Sequence, residues 1–110
     1  MPYVDEKSRK QLDQNISSMV VALKTTVIDT ENLSEVDQLS NEQLLAIAGN
    51  INYVVSRMCG SLMGKITYPK IAIITGVLEN IKQEFYRRAA APYEDKKIIQ
   101  NGDIKEYKGM

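Results

Sequence analysis

An all-α fold is predicted, a helical hairpin or three-helix bundle with a short carboxy-terminal helix and a polar tail, and three observations carry it. Apolar residues recur every three or four positions in three long stretches, the spacing of one helix face. Residues able to cap a helix stand at the head of two of those stretches, and glycine or proline falls near where the stretches should stop. At 110 residues, with 44% hydrophobic and 25% charged side chains, the chain has room for one modest core. Residues 1–102 are therefore expected to form a single helical domain, and 103–110 a flexible or partner-ordered tail.

The first stretch covers residues 5–27. Leu12, Ile16, Met19, Val20, Leu23 and Val27 share a stripe, with Lys7, Arg9, Lys10, Asp13 and Lys24 mostly on other sectors. The β-branched run Thr25-Thr26-Val27-Ile28 disfavours helix, so an end near 26–28 is expected, followed by a polar connection with a short turn around Leu33–Val36. A second helix starts at Ser40, with Gln43 three residues on as in a capping box and Leu39 placed to staple onto Leu44. Its stripe runs through Ile47, Ile51, Val54, Val55, Met58 and Leu62 to about Met63, where Gly64 can terminate it. Gly49 lowers helix propensity and Asn50 can cap a new segment, so a kink there is an open alternative. A third helix begins at Thr67, with Pro69 in its first turn where a missing amide hydrogen costs nothing. Ile71, Ile74, Val77, Leu78, Ile81, Phe85 and Ala89 continue its stripe. Pro92 predicts a break or kink near Ala91, and Tyr93–Gln100 a short fourth helix ending at Asn101-Gly102.

Composition excludes several classes of function. With one cysteine, Cys59, and no histidine, an internal disulfide and the usual imidazole-based catalytic and metal sites are ruled out. No cofactor is expected. Cys59, between Met58 and Gly60, reads as a structural thiol. Gly60-Ser-Leu-Met-Gly-Lys65 lacks the spacing and the Lys-Ser/Thr ending of a phosphate-binding loop. No apolar run approaches the roughly 18 residues of a membrane span, and the amino terminus has no secretory pattern, so a cytoplasmic, non-enzymatic protein is expected. Acidic and basic side chains balance at 14 each, but unevenly: residues 28–42 hold five carboxylates and no cation, while 57–88 hold six cations against two carboxylates. Such polarity suits self-association or an anionic small molecule, and overall neutrality disfavours nucleic acid.

The residues singled out for a ligand site or interface are Arg57, Glu79, Tyr86, Arg87 and Tyr93, with Asn52, Tyr53 and Arg88 behind them. As polar groups beside the expected core they need partners, and a pairing of Arg57 with Glu79, helped by Asn52 or Tyr86, would supply them. Guanidinium groups grip phosphates in a fork and tyrosines stack on rings, so the same set could hold a nucleotide-like anion. Phe85 is expected in the core, and Arg88 is expected to pair with Glu84 four residues before it.

The opening Met1-Pro-Tyr-Val, the central Asn50-Ile-Asn-Tyr-Val-Val-Ser-Arg57, and above all Gly76-Val-Leu-Glu-Asn-Ile-Lys-Gln-Glu-Phe-Tyr-Arg-Arg-Ala-Ala-Ala-Pro-Tyr-Glu-Asp-Lys-Lys-Ile98 through Asn101-Gly102-Asp103 resemble a family of small, functionally uncharacterised proteins of tailed bacteriophages and bacteria. The likeness spans most of the chain and departs in the longer acidic linker around 29–40 and at Asn50. It implies a phage-associated origin and a recurring whole-domain architecture, and it transfers no activity. Three roles follow from the residues: a homodimeric interaction protein whose interface includes the end of the third helix and Tyr93, with room for an unidentified protein partner; a binder of a nucleotide-like anion; or a weak nucleic-acid accessory.

Overall fold

The computed structural model describes residues 3–28 and 38–110. The expected turn at Leu33–Val36, and most of the acidic connection, lie outside these residues. The described chain is all-α: α1 (Glu6–Thr25), α2 (Asn41–Met63), α3 (Tyr68–Phe85), a π-helical turn (Tyr86–Ala90) and α4 (Ala91–Asn101). It divides into two compact units, one formed by Tyr3–Ile66 and the other by Thr67–Met110.

In the first unit, α1 starts at a cap the stripe did not reveal: the Asp5 carboxylate accepts the Ser8 amide hydrogen at 2.8 Å. The backbone and side-chain hydrogen bonds from Ser8 hold that carboxyl below its usual pKa. The expected stop near Thr26 is correct and has a visible cause. The Thr25 and Thr26 hydroxyls donate back to the carbonyls of Ala22 and Leu23, each at 2.7 Å, a local bond that competes with the helical ladder. α2 opens with the full capping box, Ser40 Oγ accepting from the Gln43 amide at 3.1 Å and Gln43 Oε1 from the Ser40 amide at 2.9 Å. It closes at Gly64, whose φ of 62° lies in the left-handed region that favours glycine.

The possible kink at Gly49-Asn50 is not present. α2 runs unbroken through both residues, because a single interior glycine costs only about 1 kcal/mol and the apolar stripe continues on either side of it. Instead of capping a new segment, the Asn50 side chain donates to Thr26 Oγ1 at 3.1 Å, tying the end of α1 to α2, the two helices that touch within this unit. Near that tie lie the two buried apolar residues of the described chain, Ile28 and Ile47, the latter 2% exposed.

The second unit is one continuous helical path from Tyr68 to Asn101. Thr67 Oγ1 caps α3 by accepting from the Lys70 amide, and Pro69 sits in the first turn as expected. The interruption expected near Ala91 takes the form of a π-helical turn, Tyr86–Ala90, and the helical path does not end there. Ala90 and Ala91 keep right-handed helical dihedrals, and the Ala91 amide donates to the Tyr86 carbonyl five residues back. A proline cannot donate to the carbonyl four residues before it and its ring clashes there. The wider π turn, with its five-residue bonds, takes up that misfit just before Pro92, and the helix resumes as α4. Gly102, at φ 81°, ends it. In the tail, Asp103 Oδ1 accepts the Ile104 amide, and the Tyr107 and Lys108 amides close a turn onto the Ile104 carbonyl.

Candidate functional site

The π turn carries three of the polar residues singled out from the sequence, Tyr86, Arg87 and Arg88. Tyr86, its first residue, donates its hydroxyl to Glu94 Oε2 at 2.9 Å, a bond across the turn from α3's end to α4's start. The pair links positions eight apart, about two turns of helix, and so braces the one irregular segment of the path. The hydrogen bond to Glu94, reinforced by that carboxylate's charge, pushes the Tyr86 phenol above its ordinary pKa. A raised pKa in the folded state means the bond contributes fully below the phenol's unfolded pKa and is lost as pH rises through the folded one. Tyrosinate absorbance should therefore show one phenol titrating later than the other tyrosines. Glu94→Gln should bring it back toward the others, with the acid and neutral range unaffected.

Arg87 lies on the same turn. Its Nη2 and Nε reach the two carboxylate oxygens of Glu84 at 2.6 and 3.4 Å. This corrects the expected pairing of Glu84 with Arg88: on a helix both the third and the fourth neighbour are in reach, and Arg87 presents the two-pronged geometry that a carboxylate accepts best. Arg88 is exposed on the same turn. Tyr93 stands at the start of α4, its ring 5.5 Å from the Lys97 ammonium. Glu79, in α3, accepts from Gln83 Nε2 at 3.2 Å.

The other candidates stand on α2, in the first unit. Arg57 Nη1 donates to the Tyr53 hydroxyl at 3.3 Å with its guanidinium 5.9 Å from that ring's centre, and Asn52 Oδ1 accepts from Ser56 at 3.2 Å. Each of these three candidates on α2 is thus engaged by a neighbour on the same helix. The picture of polar groups lodged at a core is corrected as well: Asn52, Tyr53, Arg57, Glu79, Asn80, Tyr86 and Arg87 are all exposed. So is Phe85, at 70%, which the stripe placed in the core. Periodicity identifies the apolar side of a helix and is silent on whether anything lies against that side.

Glu79, Gln83, Phe85, Tyr86, Arg87 and Ala90 border one shallow groove. All of its lining comes from a single helical path, whereas a ligand pocket surrounds most of its occupant's surface. Among the described residues no group of three or more His, Cys, Asp or Glu is placed to hold a metal ion, and no helix is long and apolar enough to cross a membrane. The Asp5 cap, the Asn50–Thr26 bond, the π turn and the Tyr86–Glu94 bond escaped the sequence reading. Two of these left a signal: Asp is a preferred capping residue just ahead of the first stripe, and Glu94 lies about two turns beyond Tyr86.

Helices with apolar stripes and local polar pairs define a small all-α protein. A family described as Domain of unknown function (DUF6899) matches residues 1–104, and the chain belongs to that family. No curated protein and no solved structure matches it.

Proposed function

We propose that this is a small non-enzymatic helical protein that works by self-association, its apolar stripes closing against a second copy. The observation behind this reading is the exposure of those stripes. Leu12, Ile16, Met19 and Val20 of α1 are about half exposed, as are Ile71, Leu78 and Ile81 of α3, while only Ile28 and Ile47 are buried among the described apolar residues. Exposed apolar stripes of this length mark association surfaces.

Each half-exposed Leu or Ile stands to gain on the order of 1 kcal/mol when covered, so α3 alone offers a few kcal/mol per copy. The anion-binding reading has less support, because Arg57 and Arg87 already bond to groups on their own helices. A cytoplasmic location in a bacterial or phage-infected cell accords with the family resemblance and completes the reading. Light scattering across a hundredfold range of concentration tests it. A mass of about twice 12.4 kDa that falls on dilution is expected, and a constant monomer mass would rule it out.

A further inference from the structure

Resting on that self-association, we infer that two copies pair antiparallel along α3, in one register. Ile71, Ile74, Leu78, Ile81 and Phe85 follow one another at gaps of three, four, three and four. That is the seam spacing of helices that pack with a slight left-handed crossing. α1 and α2 carry similar stripes, but each already touches the other. Within its own unit α3 adjoins only the π turn that continues it, and Ile71, Leu78, Ile81 and Phe85 of its seam are exposed.

Charge chooses the direction. The residues flanking this seam on one side are Lys70, Val77 and Glu84, and on the other Tyr68, Thr75 and Lys82. In an antiparallel pair with Ile74 layered on Leu78 and Ile71 on Ile81 of the copy, Val77 meets Val77 at the two-fold axis. Lys70 of each chain then stands opposite Glu84 of the other, and Lys82 beside Tyr68. Two ion pairs and two ammonium–ring contacts result. A parallel pair brings Lys70 opposite Thr75 and Val77 opposite Lys82, with no charge pair at all, and aligns the helix dipoles unfavourably. Glu84 is half-buried and already holds Arg87, and a carboxylate with about four acceptor sites serves both cations.

Single cysteines introduced into a Cys59→Ser chain, joined by a short bismaleimide, test the register, with circular dichroism confirming that each variant stays helical. Val77→Cys should link to itself. Lys70→Cys should link only when mixed with Glu84→Cys, and Phe85→Cys should not link to itself, since the two copies of that position lie at opposite ends of the seam. Self-linking of Phe85→Cys would show a parallel pair and overturn the inference. A dimer by light scattering that none of these variants links would place the contact on another helix, overturning this inference while sparing the self-association. A monomer at all concentrations would remove both.

Discussion

Replacing Ile47 by Ala should destabilise the protein by about 2–5 kcal/mol, the largest effect expected of any single truncation. Among the described residues Ile47 is the one apolar residue with essentially all of its surface covered, at 2% exposed. It lies one turn before Asn50, whose amide holds the Thr26 hydroxyl, so the cavity opens where α1 is attached to α2. In a domain of this size the melting temperature should fall by roughly 10 °C or more, read from helical ellipticity at fixed protein concentration. Ile99→Ala is the control: at 85% exposed it has little packing to lose and should move the midpoint hardly at all. Equal effects at the two positions would mean that the α1–α2 contact is not where the stability resides.

The second large effect is on association. Leu78→Asp should weaken the dimer by about a thousandfold. Leu78 is 41% exposed, so covering the remainder contributes on the order of 1 kcal/mol per copy. An aspartate there must be desolvated or protonated instead, a cost of several kcal/mol for the pair. The combined loss of about 4 kcal/mol corresponds to three decades in Kd, readable by sedimentation or light scattering. Asn80→Asp adds the same charge off the seam and should leave the mass unchanged. Dissociation by both variants alike would point to general charge repulsion and not to a seam.

What could be read in advance from the residues follows a physical line. Ser40 with Gln43, Thr67 with Pro69, and Gly102 act through bonds and dihedrals within a few residues, so the starts of α2 and α3 and the end of α4 were visible in the order of the letters. Gly49 left a kink open, and a propensity of about 1 kcal/mol is outweighed by a stripe that continues on both sides. Pro92 marked an interruption of the α-helix, and its form, the five-residue bond from Ala91 to Tyr86, is one that the letters do not specify. Phe85 and the polar set around Arg57 and Tyr86 were placed at a core because periodicity was taken to imply cover, and cover is a property of whatever lies opposite. The candidates on α3, the π turn and α4 do share one helical path, while Arg57, Tyr53 and Asn52 belong to the other unit. That division depends on which segments pack together, which no local pattern encodes.

The π turn has one more effect, which concerns angle. Each residue of an α-helix turns the path by about 100°, and Tyr86–Ala90 carries one residue more than an α-helical ladder needs. Everything after it is offset by about that angle from where an uninterrupted helix would put it. Tyr93, eight residues after Phe85, is thereby brought to within about 20° of the row that ends at Phe85, where an uninterrupted helix would set it about 80° away. The row is carried on past Pro92 in this way, with the Tyr86–Glu94 bond holding the offset fixed. Deleting one alanine from the turn would leave nearly every atom of the two flanking helices intact and yet misalign one set of contacts whenever the other is made.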